Sequence, residues 1–184
     1  MRICVGLTGP NASGKGEVSS YLEGLGFSPH SLSDVVRQEA TRQGLDHSRD
    51  SLIRTGTYLR ENFGPGILAL RIIPLLEERS VVDSIRNPGE IEALRTVAGF
   101  FLLGVDAPVS MRFERSRLRA RSGDGLTLED FRSKEALEQA ESGPGQQLRT
   151  CLSLADEIIL NDGTLEDLRR RVHEVLSRRG LIPN

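Results

Sequence analysis

Cysteine is scarce in this chain, tryptophan is missing, and lysine occurs only at Lys15 and Lys134. Two cysteines, Cys4 and Cys151, do not make a thiolate metal set. Cys4 falls inside an apolar run and reads as a buried thiol of a reducing compartment. No apolar run approaches the roughly 18 residues that span a bilayer. The chain enters an apolar strand almost at once, which leaves no stretch for a signal peptide, so a cytoplasmic protein without a membrane partner is expected. Charge of one sign is also lacking: 24 basic and 26 acidic residues give a formal net charge of −2. That balance argues against a nucleic-acid partner held by bulk electrostatics. Repeats, linkers and low-complexity tracts are missing too. At 184 residues, 38% of them apolar, residues 1–184 read as one domain that closes its own core.

What is present alternates. Short apolar runs are separated by segments with helical periodicity, which predicts βαβ units and a parallel sheet. The expected core strands are Ile3–Leu7, Ser80–Ser84, Phe100–Val105 and Glu157–Leu160, with a weaker one at Phe27–Ser31. Their nearly continuous apolar character suits strands covered on both faces. Helix starts are marked by capping-box spacings at Ser31/Asp34, Thr127/Asp130 and Thr164/Asp167. Asn87 followed by Pro88 and then Glu90 marks another, and Ala107-Pro108 opens one more. Glycine-rich stretches at Arg121–Gly125 and Ser142–Gly145 read as loops flanking a helical segment.

The most specific pattern follows the first strand. Gly9-Pro10-Asn11-Ala12-Ser13-Gly14-Lys15 is G-x-x-x-x-G-K in a strand–loop–helix setting, the pattern of a phosphate-binding P-loop. Its glycines let backbone N–H groups converge on phosphate oxygens while the following helix aims its positive end there. Lys15 adds a compact cation for the β and γ phosphates. Where many such loops place a magnesium-binding hydroxyl, this chain has Gly16 and then Glu17. Glu17 either stabilises the first helical turn through the dipole or helps hold a metal's water shell.

Four further constellations carry candidate chemistry. Val81–Arg86 is an apolar strand ending in Asp83, where a fold of this kind places a Mg²⁺-organising carboxylate, with Arg86 facing the crevice. Ser33–Arg37 puts Arg37 one helical turn past Asp34, which itself either caps the helix or meets a substrate. Arg112, Arg115, Arg117, Arg119 and Arg121 form two rows on one helix leading into a glycine-rich loop, which suits a lid supplying guanidinium groups to a migrating phosphoryl group. Finally, Glu157–Leu160 runs into Asn161-Asp162-Gly163, a β-to-α turn whose backbone could also hold a base edge.

Taken in order, these segments resemble the nucleoside monophosphate kinase branch of the P-loop kinases, including adenylate kinase. Within it the chain is most similar to archaeal and bacterial kinase-like proteins related to dephospho-CoA kinase, and to the kinase-like segment fused to some deoxycytidylate deaminases. The likeness rests on Gly9–Glu17, Leu32–Arg37, Val82–Glu90, Leu103–Pro108, Arg112–Arg115 and Ala155–Thr164. It implies a three-layer α/β P-loop NTPase fold, a five-stranded parallel sheet with helices on both faces. A nucleotide-binding helical segment would span about 31–78, with a short lid at about 117–145. ATP would lie on Gly9 to Glu17, with Arg115, Asn161 and Gly163 beside the donor and Asp83 organising Mg²⁺ through water. Asp34, Arg37, Arg86 and Arg149 would hold the acceptor, and Lys15, Asp83, Arg86, Arg115 and Arg119 would carry the transfer. A deaminase-type zinc motif is not present in the chain.

The function that follows as an expectation is ATP- and Mg²⁺-dependent transfer of the γ-phosphoryl group to a small phosphorylated acceptor, a nucleoside or deoxynucleoside monophosphate. Dephospho-CoA kinase activity and a catalytically weak nucleotide sensor remain as alternatives. The acceptor's base and sugar would be read from Ser48–Arg71, where Thr55, Thr57, Tyr58, Arg60 and Glu61 offer polar groups.

Overall fold

A computed structural model describes residues 2–118, 127–138 and 145–183. Its strands are β1 (Ile3–Thr8), β2 (Ser28–Ser31), β3 (Arg79–Ile85), β4 (Phe100–Asp106) and β5 (Glu157–Leu160). Each lies within one residue of its expected boundaries. They form one parallel sheet in the order β2-β3-β1-β4-β5. The central strand β1 therefore has β3 and β4 on either side, and the loops leaving the carboxyl ends of these three strands share one crevice.

Period-two alternation divides each apolar run between two layers. Val5 and Leu7 of β1, Val81 of β3, and Leu103 and Val105 of β4 pack with α1 (Lys15–Gly24) and α9 (Leu165–Arg178) through Val18, Leu22, Leu168, Val172 and Leu176. Cys4, Val82, Ile85 and Leu102 point the other way. There they meet α2 (Leu32–Arg42), α3 (Arg49–Phe63), α4 (Ile67–Ile72), α5 (Pro88–Leu94) and α8 (Leu148–Ser153). A 3₁₀ turn (Ile73–Leu75) follows α4. Two further helices, α6 (Val109–Leu118) and α7 (Leu128–Glu138), follow β4. The result is the three-layer α/β P-loop fold. Among the described residues no helix is long and apolar enough to cross a membrane.

Three of the four expected caps form as their spacing predicts. Asn87 and Glu90 make a complete capping box at α5, and so do Thr164 and Asp167 at α9. Thr127 and Asp130 exchange the same two bonds at α7. The fourth does not form. Ser31 is the N-cap of α2, but its side chain makes no cap hydrogen bond. Ser31 Oγ lies 3.3 Å from Ser84 Oγ on β3, and Asp34 is taken by Arg37 at 2.7 Å. A partner on the neighbouring strand and a cation one turn away have outcompeted the cap.

Both thiols are completely buried, and burial pushes each up to about 12. Such thiols carry almost no thiolate at neutral pH and are inert towards electrophiles. Native protein at pH 8 should therefore resist Ellman's reagent, and both cysteines should titrate once guanidinium unfolds it. Rapid labelling of either thiol in native buffer would contradict this packing.

Candidate functional site

The P-loop turns on residues that ordinary side chains cannot replace. Gly9 has φ of 136°, and a Cβ there would lie 2.0 Å from the Val105 carbonyl oxygen on β4. Gly14, the N-cap of α1, has φ of 111°, and a Cβ would lie 2.3 Å from Asn161 Nδ2. Left-handed backbone and a close neighbour both exclude a side chain at these two positions. Between them Ala12 is held at φ of 58° although it is not glycine. Such conformations persist where surrounding structure over-determines them, and they cluster at ligand sites.

The cations of the loop rest on its own carbonyls. Lys15 Nζ donates to Gly9 O and Pro10 O, both at 2.8 Å. Asn11 Oδ1 accepts from the Ala12 amide at 3.0 Å. From β5, Asn161 is 5% exposed, and its amide nitrogen donates to Ser13 O at 2.8 Å. Its carbonyl and side-chain oxygens accept from Arg115 of α6 at 3.2 and 3.3 Å. Asn161 therefore clamps the P-loop while holding Arg115 beside it. Gly163 follows in the turn, where a Cβ would lie 2.8 Å from the Asp167 carboxylate that caps α9. Gly16 and Glu17 are exposed in the first turn of α1.

The donor set fits a nucleotide polyphosphate. Ser13 Oγ is buried in this loop with no hydrogen-bond partner among the described residues, and a hydroxyl there can donate to a phosphate oxygen. The first-turn amides of a helix have no intrahelical partner and point at the same place. A hard cation such as Mg²⁺ takes oxygen ligands and keeps several waters. Asp83 offers such an oxygen: alternation from Val81 puts it on the α1 face of β3, near the strand's carboxyl end. Ser84 next to it is held at φ of 66°, where the β1–β3 register shifts.

Beside the P-loop opens a cleft of about 410 Å³. Asn11 of the loop, Arg37 of α2, Arg49 and Arg60 of α3, and Arg86 and Gln146 line its polar side, while Leu32, Val36, Leu52, Ile53 and Leu68 form an apolar wall. Arg37 and Arg86, expected together, do meet in one cavity. Asp34 does not line it; it is 62% exposed and holds Arg37. Arg149 is exposed on α8 and does not line it either. Arg119, the glycine-rich loop at 121–125 and most of the loop at 142–145 lie outside the described residues. Of the five polar residues expected to read the acceptor, Arg60 alone reaches the cleft. Thr55 is turned inward, its hydroxyl donating to Ser51 O at 2.8 Å, and Tyr58 is 44% exposed.

Arg60 does so as half of a buried ion pair that local spacing does not announce. Glu90 is fully buried, and its Oε1 accepts from Arg60 Nε and Nη2 at 2.9 and 2.8 Å. Its other oxygen accepts from the backbone amides of Arg86 and Asn87 at 2.8 and 3.0 Å. The Arg86 side chain then reaches Gln146 at 3.0 Å, and the Gln147 amide donates to Arg86 O at 2.7 Å. The capping-box spacing predicts Glu90 at the third position of α5, but nothing local marks it as the partner of α3.

No protein-family model matches the chain. A UPF0200 protein of Pyrococcus abyssi is 33% identical over 181 residues, covering 94% of each chain. One from Aeropyrum pernix is 37% identical over 172 residues, covering 91% of this chain and 88% of its own. Among solved structures, TT1252 from Thermus thermophilus superposes with a TM-score of 0.65 at 22% identity, covering 96% of this chain and 97% of its own. Shikimate kinase from Aquifex aeolicus superposes with a TM-score of 0.59 at 16% identity, covering 97% and 99%. The fold is thus shared with P-loop kinases.

Breaking a buried ion pair on one side strands the other charge, which costs about 3–5 kcal/mol. Glu90→Gln should lower the urea unfolding free energy by about 3 kcal/mol, and adding Arg60→Met should recover part of that loss. An unchanged midpoint for the single variant would mean that the pair does not hold α3 in place.

Proposed function

The chain belongs to the UPF0200 family, and from that premise we propose that it is an ATP- and Mg²⁺-dependent phosphotransferase. Its acceptor is a small phosphorylated molecule, a nucleoside or deoxynucleoside monophosphate. The observation that carries this reading is the cleft beside the P-loop, where Arg37 and Arg86 share a cavity with Asn11 of the donor loop. A donor site and an anion-binding pocket in contact are what in-line phosphoryl transfer requires. The volume, about 410 Å³, is at the compact end of small-molecule sites, which run from about 300 to 1,000 Å³. The aliphatic wall opposite the arginines suits a flat, weakly polar ring.

In this mechanism Lys15 leaves the carbonyls of Gly9 and Pro10 for the β and γ oxygens of the donor. The hydroxyl of Ser13 and the first-turn amides of α1 hold the same chain of phosphates. Asp83 holds Mg²⁺ through water; when bound, the ion neutralises charge shared by the β and γ oxygens. Arg37 and Arg86 fix the acceptor phosphate so that one of its oxygens points at the γ-phosphorus. Arg115, with Arg119 of the adjoining segment, adds dispersed positive charge as the phosphoryl group moves. No covalent intermediate forms; positioning and charge stabilisation account for the rate.

A coupled ADP-release assay with ATP and Mg²⁺ against all nucleoside and deoxynucleoside monophosphates, and dephospho-CoA, tests this directly. One monophosphate should turn over strongly. Lys15→Ala should lower that turnover by about a hundredfold or more without lowering the melting temperature. Arg86→Ala should raise the acceptor KM about tenfold or more, the worth of a charge-assisted hydrogen bond. Silence across the whole panel, with ATP binding intact, would replace the transferase with a nucleotide sensor.

A further inference from the structure

Arg112 is on α6 and only 8% exposed, yet nothing in the preceding mechanism uses it. Its Nε donates to Ala107 O at 3.0 Å, which fixes the guanidinium plane. Its Nη1 is directed at the P-loop, donating to Asn11 O at 3.4 Å. The same Nη1 also donates to Glu135 Oε1 of α7. The guanidinium carbon lies 5.7 Å from the centre of the Phe131 ring, and Phe131 in turn packs at 5.8 Å against Phe113 of α6. Phe131 and Glu135, four residues apart, share one face of α7, and both of them grip α6 around Arg112.

Three consecutive P-loop carbonyls thus each receive a cation: Lys15 covers Gly9 and Pro10, and Arg112 covers Asn11. A polyphosphate entering the loop offers the same cations stronger, charged acceptors. Lys15 meets no competing carboxylate in these bonds, whereas Arg112 shares its nitrogen with Glu135. That carboxylate has the same sign of charge as the incoming phosphates and lies beside their path. We propose that Arg112 is a donor-phosphate ligand and Glu135 its built-in competitor. In the free protein Glu135 holds the guanidinium and docks α7; nucleotide takes the guanidinium and releases the helix. The inference rests on the P-loop as the donor site and is independent of the acceptor's identity. Because linkage is reciprocal, whatever weakens the Glu135 contact must strengthen nucleotide binding.

The experiment is calorimetric titration of wild type, Glu135→Gln and Arg112→Met with Mg²⁺ and a non-hydrolysable ATP analogue, alongside amide exchange of residues 127–138. Glu135→Gln should bind the analogue about threefold to tenfold more tightly, a gain that misfolding cannot produce. Arg112→Met should bind it about tenfold or more weakly, the loss expected for a charged hydrogen bond. The amides of α7 should exchange faster with the analogue bound. AMP, which lacks β and γ phosphates, should show no gain with Glu135→Gln. Unchanged or weaker binding by Glu135→Gln, with normal wild-type binding abolished by Lys15→Ala, would overturn this inference alone. Failure of the wild type to bind the analogue at all would overturn the donor site and this inference with it.

Discussion

Glu90 is a carboxylate with no access to water, and that single fact organises much of the site. Removed from solvent, it must find donors within the protein, and it finds four: two from Arg60 and two backbone amides at the end of β3. Those donors come from different elements. The acceptor-side helix α3 is thereby tied to the turn that carries Arg86. The returning segment joins the same node, because Asn87 Nδ2 donates to Gly145 O at 2.9 Å and Gln147 N to Arg86 O. A buried ion pair of this kind adds little net stability over an apolar packing, but it admits one arrangement and penalises others. Here the arrangement it selects is the one that lines the cleft with arginines.

The donor side obeys a different constraint. A loop that wraps phosphate must turn its amides inward, so its carbonyls face elsewhere and need partners of their own. The structure supplies these partners from side chains: Lys15, Arg112 and Asn161 accommodate the carbonyls of Gly9, Pro10, Asn11 and Ser13. Because Asn161 follows β5 and Arg112 belongs to α6 after β4, the loop's shape depends on both far strands. The positive-φ conformations of Ala12 and Ser84 occur in this crevice region, at the P-loop and near the end of β3. Strain of about 1–3 kcal/mol per residue persists only when such surroundings enforce it.

Much of this was legible in the order of residues. The five strands follow from short apolar runs, the P-loop from its glycines and lysine, and three caps from side chains three positions apart. The Ser31–Asp34 spacing was equally regular and misled, since a serine on a strand next door and an arginine on the next turn took the two groups. Asp34 and Arg37 are neighbours on the same helix turn, so either could have been the cleft residue; exposure and pairing select Arg37. Thr55 and Tyr58 share α3 with Arg60, yet helix rotation relative to the sheet sends only Arg60 into the cavity.

The sequence by itself determined the parallel α/β sheet, the phosphate loop at the end of β1 and the carboxylate at the end of β3. Each of these depends on residues a few positions apart, whose periodicity and spacing act before any long-range contact forms. Only the tertiary structure decided that Arg60 pairs with Glu90 across 30 residues, and that Arg112 bridges Asn11 and Glu135 across 101 and 23 residues. Guanidinium groups in this arginine-rich chain are chemically alike. Which of them is buried against which carboxylate is set by where the packed layers bring it, and burial alone makes that choice energetically decisive.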